Sequence, residues 1–163
     1  MKRHDSRLTY GRTCVYNINY HIVWGTKYRN KVLNGKIEED LKQILYTIAD
    51  EKEFVINHLE IGLDDHVHLM ISASPKLSVT TIVSCLKGTS AFRLFRMHPE
   101  LKQYYWKTSD RHLWSPSYFV ETIGASNEKA VAKYIDDQRR KEEKCETLCY
   151  VADMTKRSGY PLK

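Results

Sequence analysis

Apolar residues along this chain change their spacing several times, and the order of these changes restricts the folds that it can adopt. From residue 14 to residue 24 they alternate with polar residues, which is the period of a strand with one buried face. From 37 to 52 they recur every three or four residues, as on the buried stripe of a helix. Two more strands are predicted at 54–63 and 67–72, and the short Asp64-Asp65 link between them predicts a hairpin.

The second half of the chain continues this succession of elements. A helix is predicted at 79–96, a short helix at 100–105, a strand at 117–123, and a last helix from about 126 to 143. The resulting order, βαββαβ followed by a helix, predicts an α+β fold. The βαββαβ part is expected to form a ferredoxin-like antiparallel sheet of four strands with two helices on one face, to which the last helix is additional.

Size and composition suggest one domain and are compatible with a nucleic-acid partner. The length of 163 residues suits a single domain, with its core at about 14–143 and basic tails at both ends. We expect no membrane association, because no stretch is long and apolar enough to span a bilayer and the basic start lacks an apolar signal segment. Four scattered cysteines without a C-x-x-C pair favour reduced thiols and a cytoplasmic protein. A net charge of +6 is typical of a chain that binds an anion such as nucleic acid, although a basic surface without a partner fits it equally well.

Residues 64–72, DDHVHLMIS, place two histidines in an otherwise apolar strand. Because alternate residues of a strand point to the same side, His66 and His68 share one face, about 7 Å apart along the strand. That face is either a place for two hydrogen-bonded rings or a place for a metal ion, and the pair alone does not decide between them. Asp64 and Asp65 are expected chiefly as turn residues, with hydrogen bonding to a metal-bound histidine as the alternative.

The last helix contains the segment KYIDDQ, in which Tyr134 and Gln138 are four residues apart. Residues at this spacing lie one above the other on a helix, so the two side chains share a face. Taken by itself, the spacing favours an ordinary half-buried tyrosine beside a solvated glutamine.

Together, these motifs resemble the single-tyrosine HUH transposases of small bacterial insertion sequences, the IS200-like family. His66-Val67-His68 is similar to the histidine–hydrophobe–histidine motif of the third strand, and Tyr134 with Gln138 is similar to the tyrosine and glutamine of the late helix. The resemblance covers roughly residues 14–142. Other similar stretches are NINYHIVWGTKYRNKVL at 17–33, LKGTSAFRLFR at 86–96 and LWSPSYFVETIG at 113–124.

The resemblance implies a DNA transposase that cleaves and rejoins single-stranded DNA at insertion-sequence ends through a 5′-phosphotyrosine on Tyr134. It implies a divalent metal, Mg²⁺ or Mn²⁺, held by His66, His68 and Gln138, although imidazole ligands alone would favour zinc or a late transition metal. It also implies DNA with hairpin ends as the partner and a homodimer whose subunits share their active sites. The chain has no P-loop and no G-x-G-x-x-G motif, in agreement with chemistry that needs no nucleotide cofactor.

Basic and aromatic residues supply candidates for DNA contact. The basic groups would contact phosphates, with ordinary solvated charge as the alternative. Four aromatic residues are candidates for stacking on unpaired bases, with core packing as the alternative. Two other functions stay open: a domesticated HUH nuclease acting on repetitive hairpins, and a non-catalytic single-stranded nucleic-acid-binding protein. The basic candidates are Lys27, Arg29, Lys87, Arg93, Arg139 and Arg140, and the aromatic candidates are Tyr104, Tyr105, Trp106 and Trp114.

Overall fold

The structure, a computed structural model, describes residues 8–106, 111–124 and 127–137 of the chain. Within these ranges the elements follow the predicted order, with one additional hairpin at the start. The strands are β1 (Thr9–Tyr10), β2 (Val15–Tyr16), β3 (Asn19–Gly25), β4 (Val55–Gly62), β5 (His66–Ser72) and β6 (Phe119–Ile123). The helices are α1 (Gly35–Glu51), α2 (Val79–Met97), α3 (Lys102–Tyr105) and α4 (Glu128–Asp136), with short 3-10 helices at Lys27–Arg29 and Pro99–Leu101.

Strands β3 to β6 form one sheet in the order β4-β5-β3-β6, and every neighbouring pair is antiparallel. The first and third strands of the βαββαβ unit therefore lie in the centre of the sheet, and the second and fourth lie at its edges. This is the ferredoxin-like arrangement, so the fold class that the sequence predicts is confirmed.

Helices α1 and α2 cover one face of the sheet and enclose the main core. Alternate residues of the central strands, such as Ile22 on β3 and Leu69 on β5, point to this side and are fully buried. They meet Leu45 of α1 and Leu86 of α2 in one continuous apolar cluster. Full burial of a side chain of this size stabilises a fold by about 1.5–3 kcal/mol. This face therefore supplies most of the hydrophobic stabilisation of the described residues.

The opposite face of the sheet carries α4, which lies across β4 and β5. The apolar contact of α4 is small: Ile135 is fully buried and packs with Met70 on β5 and Ile123 on β6. Val131 and Ala132 are partly buried beside it. The helix that the sequence predicts as additional to the sheet thus packs on the face that α1 and α2 do not cover.

A buried contact between a histidine and a carboxylate joins α1 to the end of α2. His98, which follows α2, is buried, and its Nε2 lies 2.8 Å from a carboxylate oxygen of Asp40. Its Nδ1 lies 3.0 Å from a carboxylate oxygen of Glu100. The ring of His98 thus lies between a carboxylate of α1 and a carboxylate that follows α2. The pair fixes the two helices of the outer layer to each other.

Two predicted boundaries differ from the structure. The single strand predicted at 14–24 is interrupted, so that β2 and β3 belong to different sheets. Part of the segment expected to be a loose N-terminal tail instead forms the β1–β2 hairpin, in which Gly11 N donates a 2.8 Å hydrogen bond to Cys14 O. Alternation of apolar residues persists across such a break, because it does not specify which strand each part pairs with. The predicted end of the last helix, at 143, lies outside the described residues.

The described residues include no helix with both the length and the apolar character needed to cross a lipid bilayer.

Candidate active site

The two histidines of β5 project toward the α4 side of the sheet. Val67, Leu69 and Ile71 are buried in the core under α1 and α2. The alternate residues His66 and His68 therefore point to the other face. Their ring centroids are 4.8 Å apart. The pair shares a face, as the alternation in the sequence predicts.

His66 occupies a space that two glycines leave open. It pairs with Gly62 on β4 and with Gly25 on β3, so neither neighbouring strand places a side chain beside it. A Cβ atom on Gly62 would lie 2.3 Å from Nε2 of His66, far inside contact distance. The imidazole therefore lies directly over the backbone of Gly62.

Asp65 fixes the orientation of the His66 ring. Its Oδ1 accepts a 2.6 Å hydrogen bond from Nδ1 of His66, and its Oδ2 accepts a 2.9 Å bond from Nε of Arg29. Because Nδ1 faces the carboxylate, Nε2 is the ring nitrogen of His66 that is left to bind a cation.

The sequence favours a turn role for both aspartates, and the structure places both in the turn between β4 and β5. Asp64 does occupy the turn in a left-handed conformation, with φ of +59°. Asp65 closes the turn, with its N donating a 3.1 Å hydrogen bond to Gly62 O, and its buried carboxylate in addition contacts Arg29 and orients His66.

His68 is buried, and a third histidine stacks on it. Burial, reinforced by the charges of His66 and His21, lowers the pKa of His68 to about 2. The ring of His21 on β3 lies nearly parallel to that of His68, with centroids 5.7 Å apart, and its Nε2 is 3.4 Å from Nδ1 of His68. Among the described residues, no hydrogen-bond partner reaches the buried Nε2 of His68. A neutral imidazole with a buried lone pair is the form in which histidine binds metals.

Sequence analysis did not single out His21. It lies opposite Met70 in the β3–β5 pair, which puts it diagonal to His68 on the same face. That relation depends on the register between two strands, which the pattern within either strand does not specify. Burial also lowers the pKa of His21, so this ring too is neutral near pH 7.

Tyr134 of α4 reaches the histidine face of its own chain. Its ring centroid lies 6.0 Å from that of His68 and 6.1 Å from that of His21, both in edge-to-face arrangements. The next residue, Ile135, points into the sheet, so Tyr134 leaves the helix about 100° to one side of it. The structure therefore brings the predicted nucleophile beside the predicted pair of histidines.

The described part of the site fits a metal ion that draws further ligands from elsewhere. Two adjacent imidazoles offer Nε2 lone pairs: that of His68 is buried without a partner, and that of His66 is set by Asp65. Within residues 8–106, 111–124 and 127–137, no group of three or more His, Cys, Asp or Glu side chains is arranged to hold a metal. The predicted third ligand, Gln138, is an amide and lies just outside the described residues.

Several basic residues proposed for DNA contact have partners within the chain. The ammonium of Lys87 donates to the carbonyls of residues 115–117 at 2.6, 3.2 and 3.2 Å, and burial lowers its pKa. Arg93 contacts both carboxylate oxygens of Glu51, at 2.8 and 3.2 Å. Lys27 lies 5.1 Å from the ring of Tyr28. DNA contact by these residues stays a prediction. Arg139 and Arg140 lie outside the described residues.

The four aromatic candidates for base stacking divide into two pairs. Tyr105 and Trp114 are 1% and 5% exposed and belong to the main core, so core packing is the correct reading for them. Tyr104 and Trp106 are 51% and 43% exposed. The second pair is therefore the more accessible of the two, although Trp114 also lines the groove described next.

A groove of about 510 Å³ lies between α2 and the segment that precedes β6. Phe92 and Phe95 contribute aromatic rings to it, and Lys27 and Arg111 contribute charge. The guanidinium of Arg111 also lies 5.0 Å from the ring centre of Trp106. Exposed aromatic rings beside basic groups are typical of surfaces that bind unpaired nucleotides.

Comparison with known proteins points to one family over most of the chain. Residues 14–138 match the family model described as Transposase IS200 like. The chain is 39% identical over 132 residues to the ISDra2 transposase TnpA of Deinococcus radiodurans, which is 81% of this chain and 91% of that protein. It is 31% identical over 133 residues to the transposase for insertion sequence element IS200 of Salmonella typhimurium, which is 82% of this chain and 84% of that protein.

Solved structures share the architecture described above. The crystal structure of a candidate transposase from Deinococcus radiodurans R1 is 38% identical in sequence, with a TM-score of 0.65 over 80% of this chain and 98% of that one. A REP-associated tyrosine transposase bound to a REP hairpin has a TM-score of 0.59 over 94% of this chain and 88% of that one. At 14% identity, this second likeness is one of fold.

Proposed function

The chain belongs to the IS200-like transposase family, enzymes of DNA transposition, and we propose that it cleaves and rejoins single-stranded DNA through a covalent bond to Tyr134. The observation that carries this proposal is the contact of a phenol with neutral imidazoles: the rings of Tyr134 and His68 lie 6.0 Å apart in one chain.

The proposed reaction is a transesterification at a backbone phosphate. The hydroxyl of Tyr134 gives up its proton, its oxygen forms a bond to phosphorus, and the bond from phosphorus to the 3′ oxygen breaks. The 3′ oxygen takes up a proton and leaves as a free 3′-OH, while the 5′ phosphate stays on the tyrosine. Because phenols are more acidic than alcohols, a phenolate is a better leaving group than an alkoxide, and a 3′-OH can reverse the reaction without a nucleotide cofactor.

His66, His68 and Gln138 are the residues that would hold a divalent metal, which we propose to be Mg²⁺ or Mn²⁺. Such an ion, when bound, polarises the phosphate and offsets charge in the transition state. The chain's own contribution is to keep the imidazole of His68 neutral through burial and to orient the ring of His66 through its hydrogen bond to Asp65. Neutral ligands leave the positive charge of an ion available to the phosphate.

We further propose that the substrate is an insertion-sequence end with a hairpin and that the protein works as a homodimer with shared active sites. The related fold of the REP-associated transposase was solved with a REP hairpin, which supports a hairpin as ligand. The groove lined by Phe92, Phe95, Lys27 and Arg111 supports contact with unpaired nucleotides.

The same groove favours a second candidate, a non-catalytic protein that binds single-stranded nucleic acid. This alternative predicts binding that is unaffected by removal of divalent metal and no covalent product. A domesticated nuclease that acts on repetitive hairpins would share the chemistry of Tyr134 and differ in the DNA sequence that it cuts.

The test is covalent capture of DNA. A labelled single strand from the end of the element that encodes the protein is incubated with Mg²⁺ and resolved on a denaturing gel. The wild type is expected to give a protein–DNA adduct that Tyr134→Phe lacks. Tyr46→Phe is the matched control, because Tyr46 is an exposed tyrosine on α1, on the other side of the sheet. An equally strong adduct with Tyr134→Phe would overturn the assignment, and metal-independent binding without an adduct would favour the non-catalytic alternative.

A further inference from the structure

Among the contacts that hold the helix of Tyr134 on the sheet, one apolar and one polar contact come from the two residues that follow Tyr134. The apolar contact is Ile135, buried with Met70 and Ile123. The polar contact joins Oδ1 of Asp136 to Nδ1 of His58 on β4, at 3.1 Å. The side chains of His58 and Asp136 are 33% and 61% exposed, so this bond lies at the surface, along the edge strand of the sheet.

The order of these residues along α4 gives each contact a different role. Successive residues of a helix are about 100° apart around its axis. Since Ile135 points into the sheet, Tyr134 and Asp136 leave the helix on opposite sides of it. Tyr134 is directed toward His68, and Asp136 toward β4. Any rotation of α4 about its axis therefore moves both side chains together.

The two contacts also differ in how strongly they restrict such a rotation. Apolar burial is non-directional, so Ile135 holds the helix against the sheet without fixing its rotation closely. A hydrogen bond weakens steeply as its angle departs from linear, so the bond between Asp136 and His58 does resist rotation. The position of the Tyr134 ring thus depends on a bond made on the other side of the helix.

We propose that His58 is a positioning residue for the reaction: its bond to Asp136 sets the rotation of α4 and thereby holds Tyr134 beside His68. This inference rests on the proposed function of Tyr134 as the nucleophile. His58 acts through Asp136 and α4 and not on the DNA. An exposed pair of this kind contributes little to overall stability, so an effect on the reaction can be separated from an effect on folding.

The experiment measures single-turnover adduct formation at saturating DNA, together with DNA affinity and melting temperature. His58→Ala is expected to lower the rate by about two- to fivefold, the range by which an exposed pair shifts an equilibrium, and to leave affinity and melting temperature unchanged. Asp136→Ala is expected to give the same loss, and the double variant no further loss. His58→Asn is expected to restore the wild-type rate, because its amide N–H can replace the N–H at Nδ1. Val55→Ala, an exposed change on the same strand, is the control that should leave the rate unchanged.

A wild-type rate in His58→Ala, or losses that multiply in the double variant, would overturn the inference. If the wild type forms no adduct, or if Tyr134→Phe forms an equal one, the proposed function fails instead. In that case the bond between His58 and Asp136 is tested without DNA, by measuring hydrogen exchange of the backbone amides of α4. Faster exchange in His58→Ala with wild-type exchange in His58→Asn supports the contact, and equal exchange in all three proteins overturns it.

Discussion

Replacement of Gly62 by alanine is expected to disable the site without unfolding the chain. The added Cβ would lie 2.3 Å from Nε2 and 2.7 Å from Cε1 of His66. Non-bonded heavy atoms sit at about 3.5–4.0 Å from each other, so the ring must withdraw by about 1 Å. The atoms in the way are the tip of a side chain that can rotate, so the backbone of β4 can stay in place.

The displaced ring of His66 loses both its hydrogen bond to Asp65 and its position beside His68. Its 2.6 Å bond to Asp65 is stretched, and its Nε2 leaves the position beside His68. Misplacement by about 1 Å costs roughly 100-fold in rate, and loss of the group that orients a metal-bound histidine costs about 10–100-fold in metal affinity. The free energy of unfolding is expected to change by less than about 1 kcal/mol, the size of a glycine-to-alanine effect in a strand.

The assay combines single-turnover adduct formation, Mn²⁺ binding by calorimetry and unfolding in urea. Gly124→Ala is the control, since a Cβ there meets no atom of the described residues within 4 Å. We expect Gly62→Ala to lose about 100-fold in rate while it unfolds at nearly the wild-type urea concentration, and Gly124→Ala to match the wild type in both. A folded Gly62→Ala protein that retains wild-type rate and metal affinity would refute the reasoning, as would a loss of activity that merely follows unfolding.

Three further variants test other contacts. Asp65→Asn should weaken Mn²⁺ binding by about 10–100-fold, because it removes the carboxylate that orients His66; calorimetry measures this. Lys87→Met should lower the free energy of unfolding in urea by about 1 kcal/mol, because it leaves three carbonyls without their donor. Burial lowers the pKa of Lys87 from its usual 10.5, so between the lowered value and 10.5 the unfolded chain binds more protons than the folded one. Stability of the wild type should therefore rise with pH across that interval more than stability of Lys87→Met does. His98→Leu should destabilise the fold by about 1–3 kcal/mol, because it leaves the buried carboxylate of Asp40 without its partner; thermal unfolding measures this.

Local periodicity was enough to predict the sheet and the shared face of its two histidines. Successive residues of a strand point to opposite faces of the sheet. Because Val67 and Leu69 point into the core, His66 and His68 must point to the opposite face. The short link at Asp64-Asp65 likewise predicted the β4–β5 hairpin, because antiparallel strands can be joined by so few residues.

What the sequence could not supply depends on contacts between distant segments. His21 joins the site only through the register of β3 against β5. The ammonium of Lys87 turns inward to residues 115–117, although its sequence context is equally typical of a phosphate contact. The position of α4 on the sheet depends on the burial of Ile135 and on the bond between Asp136 and His58, which are 78 residues apart in the chain. No window of neighbouring residues contains these relations.

The sheet separates the residues that keep the chain folded from those that would do its chemistry. One side is closed by a large core, whereas the other has a smaller apolar cluster of Ile135, Met70 and Ile123 with a few partly buried residues of α4 beside it. Selection for abundance or solubility would therefore act mainly on residues of the α1–α2 side of the sheet and only weakly on residues of the α4 side. Copies of the gene that no longer need to move could accumulate changes around Tyr134 and persist as well-folded, inert proteins.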